Sequence, residues 1–165
     1  MTDPGRRVRR TRRGKFELRI PRHERDALRT LPAQLRQLLD SNDPALFRLF
    51  PPAYQDAPDQ DAEYQRLVHE DLVTQRRSSL DVMEATIDAR RLDEEQLTAW
   101  LGALNDLRLV LGTRLEVTED MGPDDIISDD PRAPTLALYY YLGWLEEEVV
   151  EALASEVDPA GTADQ

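Results

Sequence analysis

Apolar and polar residues change period along this chain, and the changes mark out its elements. Phe16, Leu18 and Ile20 alternate with Glu17 and Arg19, which predicts a half-buried strand over residues 15–20, closed by Pro21. From residue 22 to 40 the spacing turns helical, with Leu28, Leu31, Leu35, Leu38 and Leu39 on one face. Pro32 lacks a backbone donor and should kink or split that helix. Ser41–Asn42–Asp43–Pro44 reads as a turn, with Asp43 as N-cap and Pro44 opening a short helix to about Leu49. Residues 53–59 read as loop. Tyr64, Leu67, Val68, Leu72, Leu80, Met83 and Ile87 then keep helical spacing through one long helix, residues 60–90.

Asp93 with Gln96 forms a capping-box pattern for the next helix. Leu97, Trp100, Leu101, Leu104, Leu107 and Leu111 follow on its apolar face, and Gly112 is placed to end it. Leu115 and Val117 alternate with Glu116 and Thr118, a second short strand candidate that residues 15–20 could pair. Residues 119–134 form an acidic loop. A last helix runs from about Thr135 to Ala154, and its first half, LALYYYLGWL, is apolar almost all round, as in a helix central to a core. The expected fold is mainly α: a bundle of about five helices with a minor two-stranded β element, residues 15–20 with about 114–118. Residues 1–14 are expected as a disordered basic arm, 15–154 as a single α-helical domain, and 155–165 as a disordered tail.

Charge sharpens this picture. The 165 residues hold 33 acids and 21 bases, a net of −12. Residues 1–22 carry nine bases against two acids, whereas residues 115–165 carry 14 acids and one base, Arg132. An acidic body does not bind nucleic acid or anionic lipid without discrimination; the arm is the exception. The longest nearly apolar run, Leu136–Leu145, has ten residues, where a membrane span needs about 20. With no signal peptide after the charged start, the expected location is cytoplasmic, with no membrane contact.

Candidate chemistry is sparse. The chain has no cysteine, which removes disulfides, thiolate metal sites and a cysteine nucleophile from these residues. His23 and His69 stand in no metal-binding or nucleophilic motif, and no phosphate-binding glycine loop occurs. The acids of EDMGPDDIISDD lack the spacing of a calcium loop. The expectation is therefore a non-enzymatic protein with no catalytic residue, metal or cofactor. Arg6, Arg7, Arg9, Arg10, Arg12, Arg13 and Lys15 are the candidate contacts to a partner or to nucleic acid. Three readings stay open for them: nucleic acid, an acidic protein surface, or the chain's own acidic body. Successive residues of a helix point about 100° apart, so Tyr139, Tyr140 and Tyr141 cannot all face one neighbour. Tyr139 and Tyr141 are the candidate protein interface. Trp100, Leu104, Leu107, Leu111, Tyr140 and Trp144 are expected in the core. Asn105 and Asp106 interrupt the apolar face, either bonding a loop or meeting a partner.

Several stretches together resemble a known family. They are Arg48–Leu49–Phe50–Pro51–Pro52–Ala53–Tyr54, Trp100–Leu101–Gly102–Ala103–Leu104–Asn105–Asp106–Leu107–Arg108, Leu111–Gly112–Thr113–Arg114–Leu115, and Tyr141–Leu142–Gly143–Trp144–Leu145 through Leu153. In order and spacing they are similar to the actinobacterial family catalogued as domain of unknown function 2017, later named after the oxidative-stress-responsive transcription regulator AosR. The likeness spans roughly residues 15–154. It implies no enzyme activity and no catalytic residues. It implies a transcription regulator that contacts RNA polymerase or a sigma factor. The family's genes often lie near the adaptor of the Clp protease, which implies the alternative of a proteolysis-linked adaptor. An enzyme with an unrecognised site is the third reading. Redox sensing in this regulator type rests on a cysteine pair, which the present chain lacks.

Overall fold

The structure, a computed structural model, describes residues 5–41, 43–50 and 60–155. The elements run β1 (Val8–Arg10), β2 (Phe16–Leu18), α1 (Arg22–Arg29), α2 (Leu31–Leu39), a 3-10 turn (Pro44–Arg48), α3 (Gln60–Ala85), β3 (Arg91–Leu92), α4 (Glu94–Arg114), a second 3-10 turn (Pro123–Asp125) and α5 (Ala133–Ala154). The fold is mainly helical with a small antiparallel sheet ordered β1-β2-β3. The expected loop at 53–59 and most of the expected tail lie outside the described residues.

Helix signals behave as their chemistry dictates. Pro32 tolerates only the first turn of a helix, so the chain breaks at Thr30 and α2 begins with Pro32 in that turn. The Asp43 carboxylate accepts from the Ala45 N–H at 2.8 Å, capping the first 3-10 turn. Asp93 and Gln96 close a full capping box: Gln96 N–H donates to Asp93 Oδ1 at 2.8 Å, and Asp93 N–H to Gln96 Oε1 at 2.9 Å. Helix α3 stops at Ala85, short of the expected residue 90, because the chain turns to deliver Arg91 and Leu92 to the sheet.

The strand pairing differs from the sequence expectation. Residues 16–18 pair with Val8–Arg10 on one side and Arg91–Leu92 on the other, not with residues 114–118. The segment after α4 is a helix terminus. Val117 N–H donates to Gly112 O at 3.0 Å and Glu116 N–H to Thr113 O at 3.2 Å, with Glu116 at φ 55. This is a Schellman closure in which Glu116 occupies the left-handed position that glycine usually takes. Gly112 is therefore not the cap. A Cβ there would lie 2.9 Å from Tyr139 Cε2, so glycine serves close packing of α5 on α4. The expectation of a disordered arm is overturned for its described part. Val8 pairs with Leu18 and Arg10 with Phe16, and Gly14, at φ 74, closes the turn between the strands.

Helix α4, not α5, is the central element. It packs on both α3 and α5 and buries Leu97, Trp100, Ala103, Leu104, Leu107 and Val110. Trp100 is fully buried, and its indole N–H donates to Thr86 Oγ1 at 2.7 Å. Sheet residues Val8, Phe16, Leu18 and Leu92 join the same core. Asp106 is buried as well, in an ion pair with Arg76, whose Nη2 also donates to Leu49 O at 3.0 Å. Burial pushes the Asp106 carboxyl up while Arg76 pulls it down. Helix α5 buries one stripe, Leu136, Leu142, Leu145, Val149 and Ala152. The core expectation thus holds for Trp100, Leu104 and Leu107. It fails for Trp144, which is 39% exposed, and for Leu111 and Tyr140, which are half-buried.

Candidate functional site

The β1–β2 hairpin sorts the basic residues into two sets. Strand alternation turns Val8 inward and leaves Arg9 exposed. Arg12 and Arg13 occupy the turn closed by Gly14, so both project into solvent. Arg9, Arg12, Arg13 and Lys15 line a shallow cavity of about 520 Å³ together with Arg91 of β3. Glu17 is the one acid in that lining, and it is taken by Arg19 at 3.0 Å and Arg9 at 3.3 Å. Among the described residues, no carboxylate pairs with Arg12, Arg13, Lys15 or Arg91. The hairpin tip therefore carries uncompensated positive charge on a molecule that is acidic elsewhere.

The other arginines fasten the hairpin to the body. The Arg7 guanidinium meets Glu24 of α1 in two parallel bonds, Nε to Oε1 at 2.9 Å and Nη2 to Oε2 at 2.7 Å. The Tyr141 hydroxyl donates to the same carboxylate at 2.8 Å. The Arg7 backbone N–H donates to Glu148 at 2.6 Å, and its guanidinium lies 5.2 Å from the centre of the Trp144 ring. Arg10 reaches Leu153 O at 3.1 Å and covers Phe16. Arg6 lies 3.7 Å from Glu151. The bonds from Arg7 hold the Glu24 carboxyl below its usual range. Burial, and then the Glu24 carboxylate, push the Tyr141 hydroxyl up. Of the proposed contacts, Arg12, Arg13, Lys15 and Arg9 are exposed at the tip, while Arg7 and Arg10 are half-buried and already engaged. Tyr141 turns inward to Glu24. Glu24 itself carried no sequence signal, because nothing local distinguishes it from Asp26, the other acid of its helix.

A second concave surface lies between α4 and α5. It encloses about 650 Å³ between Tyr139, Tyr140, Trp144, Arg108 and three glutamates of α5. Arg108 Nε stands 2.9 Å from Glu146 Oε2. Burial pushes the Glu146 carboxyl up, Arg108 pulls it down, and the charges of Asp106 and Glu147 push it up again. Tyr139, the other proposed interface residue, packs edge-on to Tyr140 at 5.1 Å and lines this groove. Among the described residues, no three histidine, aspartate or glutamate side chains gather as a metal site would need. No helix of the described residues is long and apolar enough to cross a membrane.

This architecture coincides with a sequence family over nearly its whole extent. The family model, described as a domain of unknown function (DUF2017), matches residues 5–153. The chain belongs to the DUF2017 family. The matched span begins at Gly5, so the basic hairpin is part of the family domain and not an appendage to it. Among relatives, a protein of Mycobacterium leprae that bears the AosR name is 33% identical, with 67% of this chain covered. The oxidative stress regulators AosR of Mycobacterium bovis and Mycobacterium tuberculosis are each 30% identical over the same share. The match spans 58% of the length of each of these relatives. No solved structure matches the chain.

Proposed function

We propose that this chain is a non-enzymatic regulatory module that works by binding a protein of the transcription machinery, RNA polymerase or a sigma factor, with the hairpin tip as its contact surface. The observation that carries the reading is the uncompensated charge of Arg12, Arg13, Lys15 and Arg91 at the tip of a hairpin whose base is fastened to α1 by Arg7 and Glu24. Desolvated arginine is a strong interface anchor. The names of the mycobacterial relatives, oxidative stress regulators, support a regulatory role. These 165 residues hold no cysteine, so an oxidant signal reaching this module through a thiol must come from another chain or segment.

The test is capture from nuclease-treated native lysate with the full chain and with the Arg12→Gln/Arg13→Gln/Lys15→Gln variant. All three side chains are exposed, so the melting temperature of the variant should stay nearly unchanged. Polymerase or a sigma factor should be retained by the natural chain and lost with the variant. Retention that survives the substitutions would remove the tip from the mechanism. Capture of Clp components in place of polymerase would overturn the proposed partner.

A further inference from the structure

The groove between α4 and α5 has the opposite chemistry to the hairpin. Three carboxylates, Glu146, Glu147 and Glu151, line it against one cation, Arg108, and that cation is already held by Glu146 at 2.9 Å. Its walls are aromatic: Tyr139, Tyr140 and Trp144. The Tyr140 hydroxyl is buried and finds no hydrogen-bond partner among the described residues. A buried hydroxyl without a partner costs stability, so a group that bonds it on arrival gains what the free molecule forgoes. Trp144 is 39% exposed.

These features select the occupant. An anion meets surplus carboxylate. A purely apolar group leaves Tyr140 and Glu147 unpaired. A planar cation stacks on aromatic faces and donates to carboxylates at its edge, and guanidinium does both better than ammonium. The molecule already displays this pairing at the rim, where the Arg7 guanidinium lies 5.2 Å from the centre of the Trp144 ring and Arg6 approaches Glu151. Charge extends the match beyond the groove, since residues 115–155 carry 11 acids and one base. We infer that the α4–α5 groove is a docking site for an arginine side chain presented by a basic segment of a partner protein. The guanidinium stacks against Trp144 and Tyr139, donates to Glu147, shares Glu151 with Arg6, and comes within reach of the Tyr140 hydroxyl. This surface is separate from the hairpin tip, and the inference does not rest on what the tip binds.

The test is a titration of the full-length, isotope-labelled chain with three short peptides of otherwise neutral sequence. One carries two arginines, one two lysines, and one two citrullines, which keep the shape of arginine without its charge. The Trp144 indole and Gly143 amide resonances should shift saturably with the arginine peptide, while the buried Trp100 indole stays still. The lysine peptide should bind at least threefold more weakly, and the citrulline peptide should cause no saturable shift. Glu147→Gln/Glu151→Gln, two exposed substitutions, should weaken the arginine peptide at least fivefold, and Tyr140→Phe about two- to fivefold. Arg12→Gln/Arg13→Gln/Lys15→Gln should leave it unchanged. Equal binding of citrulline and arginine peptides, shifts confined to other surfaces, or indifference to the glutamate substitutions would each overturn the assignment.

Discussion

Replacing Glu24 by glutamine tests how the hairpin is held. The carboxylate accepts three bonds, from Arg7 Nε, Arg7 Nη2 and the Tyr141 hydroxyl. Its side chain is 14% exposed and that of Arg7 17%, so solvent screens the pair only in part. A hydrogen bond to a charged group contributes about 1.5–3 kcal/mol. Glutamine keeps one acceptor but turns an amide N–H₂ toward the guanidinium donors, and the interaction loses its charge. After allowance for the remaining exposure, the expected loss is about 2–3 kcal/mol, which is a fall of about 5–10 °C in melting temperature for a chain of this length. Urea unfolding measures the global part. Hydrogen exchange of the β1 amides measures local release of the hairpin, which leaves the global transition in place. The sign with pH follows from the lowered carboxyl. The difference between natural chain and variant should be fully present above the unfolded value of about 4.3 and shrink as pH falls through the lower folded value. A loss under about 0.5 kcal/mol with unchanged β1 protection would refute the latch.

Four further outcomes are expected. Trp100→Ala should cost about 3–5 kcal/mol by urea unfolding, since it empties a fully buried site and removes the indole bond to Thr86 Oγ1, which keeps only its own bond to Val82 O. Asp106→Ala should cost about 3–5 kcal/mol by the same measurement, because Arg76 keeps its charge beneath Phe50 without a carboxylate. Joint replacement of Arg76 and Asp106 by leucine should recover much of that loss. Gly112→Ala should lower stability by about 1–3 kcal/mol and shift the Tyr139 ring resonances, as its Cβ enters space within 2.9 Å of that ring.

The helical part of this fold was legible because each helix carries its own punctuation. Pro32, the Asp43 cap and the Asp93–Gln96 box act within four residues of where they stand, so no tertiary knowledge was needed. The sheet was not legible. β1 and β3 are three and two residues long, and each contributes one buried apolar side chain, Val8 or Leu92, which is too little to set a period. The arginines around Val8 hid the strand by looking like a solvated tail. Helix α5 misled for a different reason. An apolar run on all sides has no phase, so nothing local said that Trp144 faces out while Leu142 and Leu145 face in. Gly112 showed the ambiguity of a glycine near a helix end, where a left-handed turn and a close neighbour leave the same trace. The basic patch was visible as charge. Its division into a latch and a free tip depends on strand register, which no composition reveals.

The anchoring of the first strand to the last helix orders events during synthesis. Arg7 bonds Glu148 across 141 residues, and Arg10 bonds Leu153 across 143. At ribosomal speed those acceptors emerge roughly 7–28 s after the arginines that need them. Glu24 is made early, so the hairpin can meet α1 in the meantime. It has no Trp144, Tyr141 or Leu153 to lie against, and one edge of the small sheet stays open beside the polyanionic RNA of the ribosome. Within these residues the hairpin is thus translated before every element it docks on, and it is the last part seated. Any shortening of α5 before Leu153 removes the docking surface of residues made 143 positions earlier.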